Sequence, residues 1–518
     1  MEVRPSRSLA IGAATNWAAF AATLFVAFFL APYLIRHLGD ARYGVWCVVE
    51  AILAYFTLFD LGIAACLVRF VARHHATGEH DELNRMVSAC LALFLAAALA
   101  VLVLGSALVP FVAPGLERQL GNTGDVAPFM LLMLANLALS LPLSVFPSIL
   151  DGLQRFVVKS VIRLVFLGLK VGGIIYAMET VPGLWSLAVV FTLTNLLEHA
   201  AMAGLVFRFL PGLRLSHRLV NRATLREVRG YSVDAFLAML AGRITVQTGA
   251  IVVGGFLTAA GAAHYAVAAR LVEMAKNLLR SVTVTLTPAV SQREATGDLD
   301  GVRRVLLHGT RWVLYLVLPI HLGLLFFGRP FLARWLGSAD YAGWCFPVVV
   351  ILSATLTLGV AQSVAARILY GLGRLKLFAR LALVEAGLNL GLSLALVGPL
   401  GLVGVAIAVA VPNVLFCLFV ISYCCGVLRI TPGQYFQASW WKPLGAAVVP
   451  AVVWWGATPV EPTWLAIAGG IGLGLVPYAI GVAGLELVPR GAIRRWRRQP
   501  SCSPLSAAAN PVSLSQAP

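Results

Sequence analysis

Gly39-Asp-Ala-Arg-Tyr-Gly-Val-Trp46 opens a stretch that closes on Ala76-Thr-Gly-Glu-His-Asp-Glu-Leu-Asn84. The outline returns later in the chain, as Gly261-Ala-Ala-His-Tyr-Ala-Val267 and Ala295-Thr-Gly-Asp-Leu-Asp300. Two further matches keep nearly the same spacing. Gly152-Leu-Gln-Arg155 recurs as Gly371-Leu-Gly-Arg374, and Asn195-Leu-Leu197 as Asn413-Val-Leu415, so the offsets run from 218 to 222 residues. Four matches at one spacing make the chain two halves in the same orientation, a parallel repeat of the kind transporters are built from.

The medium follows from composition. Hydrophobic residues make up 60% of the 518 residues, charged residues 12%, and mean hydropathy is +0.87. A soluble domain carries roughly a quarter charged residues, so this is an integral membrane protein. Period-2 alternation is absent, which leaves helices, whose backbones satisfy themselves in lipid. About fourteen spans are expected, near 10–34, 43–68, 86–113, 127–149, 158–178, 184–207, 230–257, 264–290, 305–327, 343–369, 377–397, 400–424, 442–458 and 463–487. The fold class is thus all-α and membrane-integral: two six-helix lobes plus two C-terminal helices. The expected divisions are 1–207, a connecting loop 208–229, 230–424, an accessory pair 425–487, and a tail 488–518. The tail begins basic and becomes Ser-, Ala- and Pro-rich, a composition that does not build a core. The first apolar run, Leu9 to Leu34, is longer than a signal h-region and is read as a retained span.

The net charge of +17 would suggest nucleic acid if it lay on a soluble face. It lies instead in short loops. With the N-terminus inside, the outer loops hold only Arg36, Arg42, Arg118, Arg329 and Arg334. This bias predicts an even number of spans with both termini cytoplasmic. The eight cysteines show no C-x-x-C and no metal spacing with His. No cofactor, metal or nucleic acid is expected, and the short loops leave little room for a catalytic domain.

Charges inside spans cost roughly 2.5–3.5 kcal/mol each at the helix centre. The eighth span carries Arg270, Glu273, Lys276, Asn277 and Arg280. Moving them outside would leave Ser281–Val290, only about 15 Å of helix, too short to cross. Spacings of three and four put Arg270, Glu273, Asn277 and Arg280 on one face with Lys276 beside it. Lys170 and Arg243 also fall near mid-membrane, opposed by Asp60, Glu198, Asp234 and Glu385, while Glu50 sits in the second span. One reading makes these residues ion pairs between helices. The other makes the basic group the lining of a cavity for an anionic headgroup, and the acids coupling or pairing partners. Arginine suits a phosphate through its forked donors, lysine as a point charge. Asp60, next to Leu61-Gly62, equally suits a cap or a pair with Arg69.

The run from Pro32 to Trp46, Leu58-Phe-Asp-Leu-Gly62 and the basic stretch from Val68 to Arg85 resemble polysaccharide biosynthesis membrane proteins. These are O-antigen (Wzx-like) flippases of the multidrug/oligosaccharidyl-lipid/polysaccharide exporter superfamily. The resemblance implies a lipid-linked oligosaccharide on an undecaprenyl diphosphate carrier, moved between leaflets of the bacterial cytoplasmic membrane by alternating access. It further implies membrane lipids as partners, with a polymerase and chain-length regulator as candidate assembly partners. Arg243, Arg270, Lys276, Arg280 and Lys170 match the cavity cations that such flippases use for the diphosphate. The first span has no arginine between Leu9 and Leu34, unlike lipid II flippases, which favours a surface polysaccharide unit over a cell-wall precursor. The competing expectation is a cation-coupled drug or metabolite exporter of the same architecture. A membrane-embedded glycosyltransferase or polymerase would place its sites in larger outer loops.

Overall fold

A computed structural model describes residues 7–220, 233–283, 286–374, 376–457 and 463–487. The regular elements among them are helical. The first half comprises α1 (Arg7–Phe56), α2 (Ile63–Thr77), α3 (His80–Gln119), α4 (Val126–Leu143), α5 (Val145–Gly152), α6 (Phe156–Thr180) and α7 (Leu184–Phe209). The second comprises α8 (Val233–Phe256), α9 (Ala259–Thr283), α10 (Leu286–Ala295), α11 (Leu299–Leu336), α12 (Ala339–Gly371) and α13 (Lys376–Val427). Then come α14 (Pro432–Ser439), α15 (Trp441–Ala457) and α16 (Trp464–Leu487). Part of the expected loop 208–229 and the tail 488–518 lie outside the described residues.

Among the described residues, ten helices are long and apolar enough to cross a membrane. Two of them are hairpins. Unbent, the 50 residues of α1 would reach about 75 Å and the 52 of α13 slightly more, against a hydrocarbon core of about 30 Å. Each bends at a glycine in a backbone region that side chains do not enter: Gly39 (φ 76°, ψ 165°) and Gly401 (φ 57°, ψ −136°). Across the second bend, Asn413 Nδ2 donates to Glu385 Oε1 at 2.6 Å, which a straight helix could not bring about. Counting both arms of each hairpin, with the charge-bearing α9 and the 17-residue α15, accounts for the fourteen expected passes.

The repeat is visible in geometry. A Cβ on Gly152 would lie 2.7 Å from Val71 and 3.0 Å from the Val68 carbonyl; on Gly371 it would lie 2.7 Å from Val290 and 3.3 Å from the Thr287 carbonyl. Both contacts are displaced by 219 residues. The next turn repeats as well: Arg155 N–H donates to Leu150 O, and Arg374 N–H to Leu369 O, both at 2.9 Å. Gly78 (φ 73°) and Gly297 (φ 71°) end α2 and α10 alike. The opening match is less symmetrical. Gly39 makes the first bend, but its counterpart Gly261 is helical, and the reversal falls at Leu257-Thr258, where Thr258 Oγ1 accepts from Gly261 N–H at 2.9 Å.

The second span is broken, which its hydropathy conceals. Leu61 (φ 48°) and Gly62 (φ 78°) are both left-handed, separating the second arm of α1 from α2. Asp60 Oδ1 accepts the Ala64 N–H at 3.1 Å, capping α2.

Three large apolar clusters define the architecture. One joins the halves, drawing on Ala31–Ala51, Val109–Met133 and Ile174–Ala188 from the first and Ala250–Val272, Leu332–Leu352 and Val397–Ala406 from the second. All of it lies toward the arginine-poor loops. Toward the arginine-rich end the cores separate. One draws on α2–α5, α7 and Leu210 and Leu213, the other on the second half with α14 and α15. Among the described residues the halves therefore share an apolar core at one end and none at the other.

Candidate functional site: a charged cavity between the halves

The second arm of α1 and α9 occupy matching places in the two repeats and meet at the boundary. Their approach depends on small residues: a Cβ on Gly44 would lie 1.7 Å from the Ala259 carbonyl oxygen, and one on Gly254 would lie 2.3 Å from Val48 Cγ2. Polar bonds complete the closed end. Ala259 N–H donates to Gln119 Oε1 at 2.5 Å, Gln119 Nε2 to the Gly254 carbonyl at 3.2 Å, and His264 Nε2 stands 3.5 Å from Asp40 Oδ2.

Beyond this seal lies a cavity of about 210 Å³, walled by the second arm of α1, α8 and α9, with Leu352, Val409 and Asn413 behind. Its charged lining is Glu50, Arg270, Glu273 and Lys276. Arg270 Nη2 donates to Glu50 Oε2 at 2.7 Å, an ion pair between halves. Both groups stay accessible, at 37% and 48% of the side chain. Arg280 Nη1 lies 3.6 Å from Glu273 Oε1, two turns away on the same face. Among the described residues no carboxylate lies within ion-pair distance of Lys276. Of the face expected to carry Arg270, Glu273, Asn277 and Arg280 with Lys276 beside it, Arg270, Glu273 and Lys276 line the cavity and Asn277 and Arg280 do not; both lining acids are committed to arginines, and the charged lining sums to zero.

The remaining candidates go elsewhere. Glu385, 7% exposed, holds Asn413 behind the cavity wall. Arg243, on α8, is half-buried and does not line the cavity. Lys170, on α6, sets Nζ over the Phe191 ring at 5.1 Å. Glu198, on α7, is 4.0 Å from Arg163. Asp60 caps α2, and the side chain of Asp234 lies outside the described residues. Depth along a helix, which sequence counting supplies, does not give azimuth, and α6 and α7 present these groups within the first half.

Sequence reasoning missed Thr245, Gln247 and Tyr265 in the lining, and the bond across the halves from Tyr55 Oη to Thr248 Oγ1 at 2.8 Å. Tyr265 carried a signal. It matches Tyr43 in the repeat, and both are buried, at 3% and 1%. Gly249 makes the room, since a Cβ there would lie 2.3 Å from the Tyr265 ring.

Two helical halves in parallel repeat, with a cavity on the axis between them, define the class: a multi-pass transporter of the multidrug/oligosaccharidyl-lipid/polysaccharide fold. Solved structures agree. The lipid II flippase MurJ in an inward closed conformation superposes with a TM-score of 0.70, at 15% identity, over 90% of this chain and all of that one. An inward-facing multidrug resistance MATE family transporter gives 0.65, at 13% identity, over 78% of this chain and 94% of the other. Among relatives, the probable low-salt glycan biosynthesis flippase Agl15 of Haloferax volcanii is 24% identical over 418 residues, covering 79% of this chain and 81% of its own. The family described as Lipid II flippase MurJ matches residues 58–468, and the chain belongs to that family. The superfamily expected from the first 90 residues is correct; the matching family is MurJ, where the resemblance suggests the O-antigen branch.

Proposed function

We propose that this protein carries a lipid-diphosphate-linked oligosaccharide from the inner to the outer leaflet of the bacterial cytoplasmic membrane for surface polysaccharide assembly, by alternating access. The observation that carries the reading is the cavity on the boundary between the halves, where Arg270 and Lys276 project from one helix and Arg280 follows. A diphosphate has oxygens enough for two guanidinium forks and one ammonium. Taking the arginine-rich end as cytoplasmic, the cavity lies on the side of the seal toward the face where such lipids are made. The arms of α1 and α9 are then the surfaces that must part to open the other side.

The cargo is read as a surface-polysaccharide unit because the first span lacks arginines and a glycan biosynthesis flippase is among the relatives. Lipid II is the second reading, favoured by the family match. Vesicles reconstituted with the protein and either lipid separate the two. Arg270→Ala and Arg280→Ala are expected to stop translocation while the protein still inserts and accumulates. Near-normal translocation in both, and in a combined variant with Lys276→Ala, would remove the headgroup assignment. Equal binding of prenyl diphosphates and neutral prenols would favour a cation-coupled exporter.

A further inference from the structure

A second cavity lies at the opposite, arginine-poor end, outside the seal. It measures about 810 Å³ and lies between the first arm of α1, the α11–α12 turn and the start of α16. The outer loops hold only five arginines and no lysine, yet two of the five, Arg36 and Arg334, line this one cavity. Among the described residues the lining contains no carboxylate. Nor has either arginine an ion-pair partner among them, and Asp340, in the first turn of α12, pairs with neither.

The placement is built. Gly337 (φ 76°) ends α11, and a Cβ there would lie 2.9 Å from Arg36 Nη2; its absence lets a guanidinium from the first half rest on a turn of the second. The N-terminus of the 33-residue α12 faces the same space, with Ser338 Oγ taking the Tyr341 N–H at 3.2 Å. Phe29, Tyr33, Trp335 and Trp464 line it, and Phe28 and Phe331 join the Phe29, Trp335 and Trp464 rings from outside the lining. Trp335 stacks on Phe28 at 4.8 Å, its Nε1 donating to the Phe28 carbonyl at 3.2 Å, and Phe331 links Trp335 at 5.8 Å to Trp464 at 5.9 Å. This ladder runs from α1 through α11 to α16. Tryptophans at a span end mark the headgroup level. Two unpaired guanidinium forks and a helix N-terminus at that level match a phosphate.

We propose that this pocket binds the phosphate of an anionic lipid headgroup in the leaflet at the arginine-poor face, and that the bound lipid holds the two halves together there. Arg36 belongs to one half and Arg334 to the other, so opening that face would pull them apart. A ligand gripping both favours the closed arrangement by its differential affinity. The inference does not depend on the cargo of the central cavity.

The test uses the full chain in neutral detergent with short-chain phosphatidylglycerol, phosphatidylcholine or inorganic pyrophosphate, read by native mass spectrometry. Hydrogen exchange is followed over 117–124 and 336–340. Saturable binding of phosphatidylglycerol, about tenfold weaker in Arg36→Ala and in Arg334→Ala and partly kept in the lysine variants, supports the site. So does slower exchange at both turns on lipid addition, absent in the double alanine variant. Equal binding of phosphatidylcholine, or unchanged binding by the double variant, overturns it; pyrophosphate binding as tightly as the lipid overturns the lipid assignment. Should the double variant fail to fold, the wild-type comparison of phosphatidylglycerol with phosphatidylcholine decides.

Discussion

The ion pair between Glu50 and Arg270 makes a prediction in which its two members respond with opposite sign. At 2.7 Å, with the side chains 48% and 37% exposed, the pair faces the cavity more than the protein interior. Two unit charges at contact are worth about 1 kcal/mol in water and about 4 at an intermediate dielectric. Exposure puts this pair at the lower end, near 1 kcal/mol, a factor of about five in an equilibrium. A diphosphate reaching Arg270 competes with the Glu50 carboxylate for its charge. Glu50→Gln removes that competitor at little cost in shape, so binding of a prenyl diphosphate should tighten by about fivefold. Arg270→Ala removes a charge-assisted donor worth about 1.5–3 kcal/mol, so binding should weaken by about ten- to a hundredfold. Arg270→Lys keeps the charge and loses the fork, and should fall between. Titration of detergent-solubilised protein with a fluorescent short-chain prenyl diphosphate gives all three constants, and a melting curve for each variant separates binding from folding. If Glu50→Gln weakens binding as Arg270→Ala does, the pair is a structural strut and the guanidinium is not a headgroup ligand.

Three further perturbations test the frame. Gly44→Ala places a methyl against the Ala259 carbonyl, so the halves must part where they are sealed; labelling of a cysteine at Asp40 from the arginine-poor side should accelerate while the melting temperature falls. Gly401→Ala meets no atom within 4 Å and costs only its backbone conformation, about 1–3 kcal/mol; an equal melting temperature would show that the bend tolerates a side chain. Outside the spans, the Glu79 carboxylate accepts from His74 Nδ1 at 2.7 Å, and this bond, with one from Thr77, holds its pKa below the usual value of 4.5. A depressed carboxylate stabilises above its unfolded pKa and loses that contribution as pH falls through the folded value. The melting temperature of Glu79→Gln should therefore lose less than wild type on acidification from pH 5, and parallel profiles would remove the effect.

Features that leave chemical marks along the chain are legible in the amino-acid sequence itself. Spans are written in hydropathy, the repeat in turn residues such as Gly152-Leu-Gln-Arg155, and the headgroup candidates in a spacing that fixes one helical face. What sequence leaves open depends on rotation about helix axes and on contacts between distant segments. Lys170 and Arg243 lie at suitable depth and face elsewhere. The break at Leu61-Gly62 sits inside an apolar run, where hydropathy registers no interruption. Glu50 has no visible partner in the sequence because that partner lies 220 residues on, in the other half.

That separation explains why the pair exists. In a parallel repeat, equivalent helices sit at the same depth on either side of the axis, and residues displaced by the repeat offset face one another. Along these two helices the offset is 222, as Tyr43 and Tyr265 show, so the counterpart of Glu50 is Val272, and Glu50 meets Arg270 two residues before it. A carboxylate at position 270 would oppose Glu50 across the boundary, a repulsion of the same size as the attraction now present. Once the duplicated helices pack against each other, charge on one copy is tolerated only with its opposite, or nothing, on the other. The two copies of the opening stretch are under this constraint. They retain the buried tyrosines Tyr43 and Tyr265, and they have diverged to carboxylate and guanidinium where they meet in the cavity. The asymmetry follows from the symmetry of the fold, and it places a cation where an anionic headgroup can compete for it.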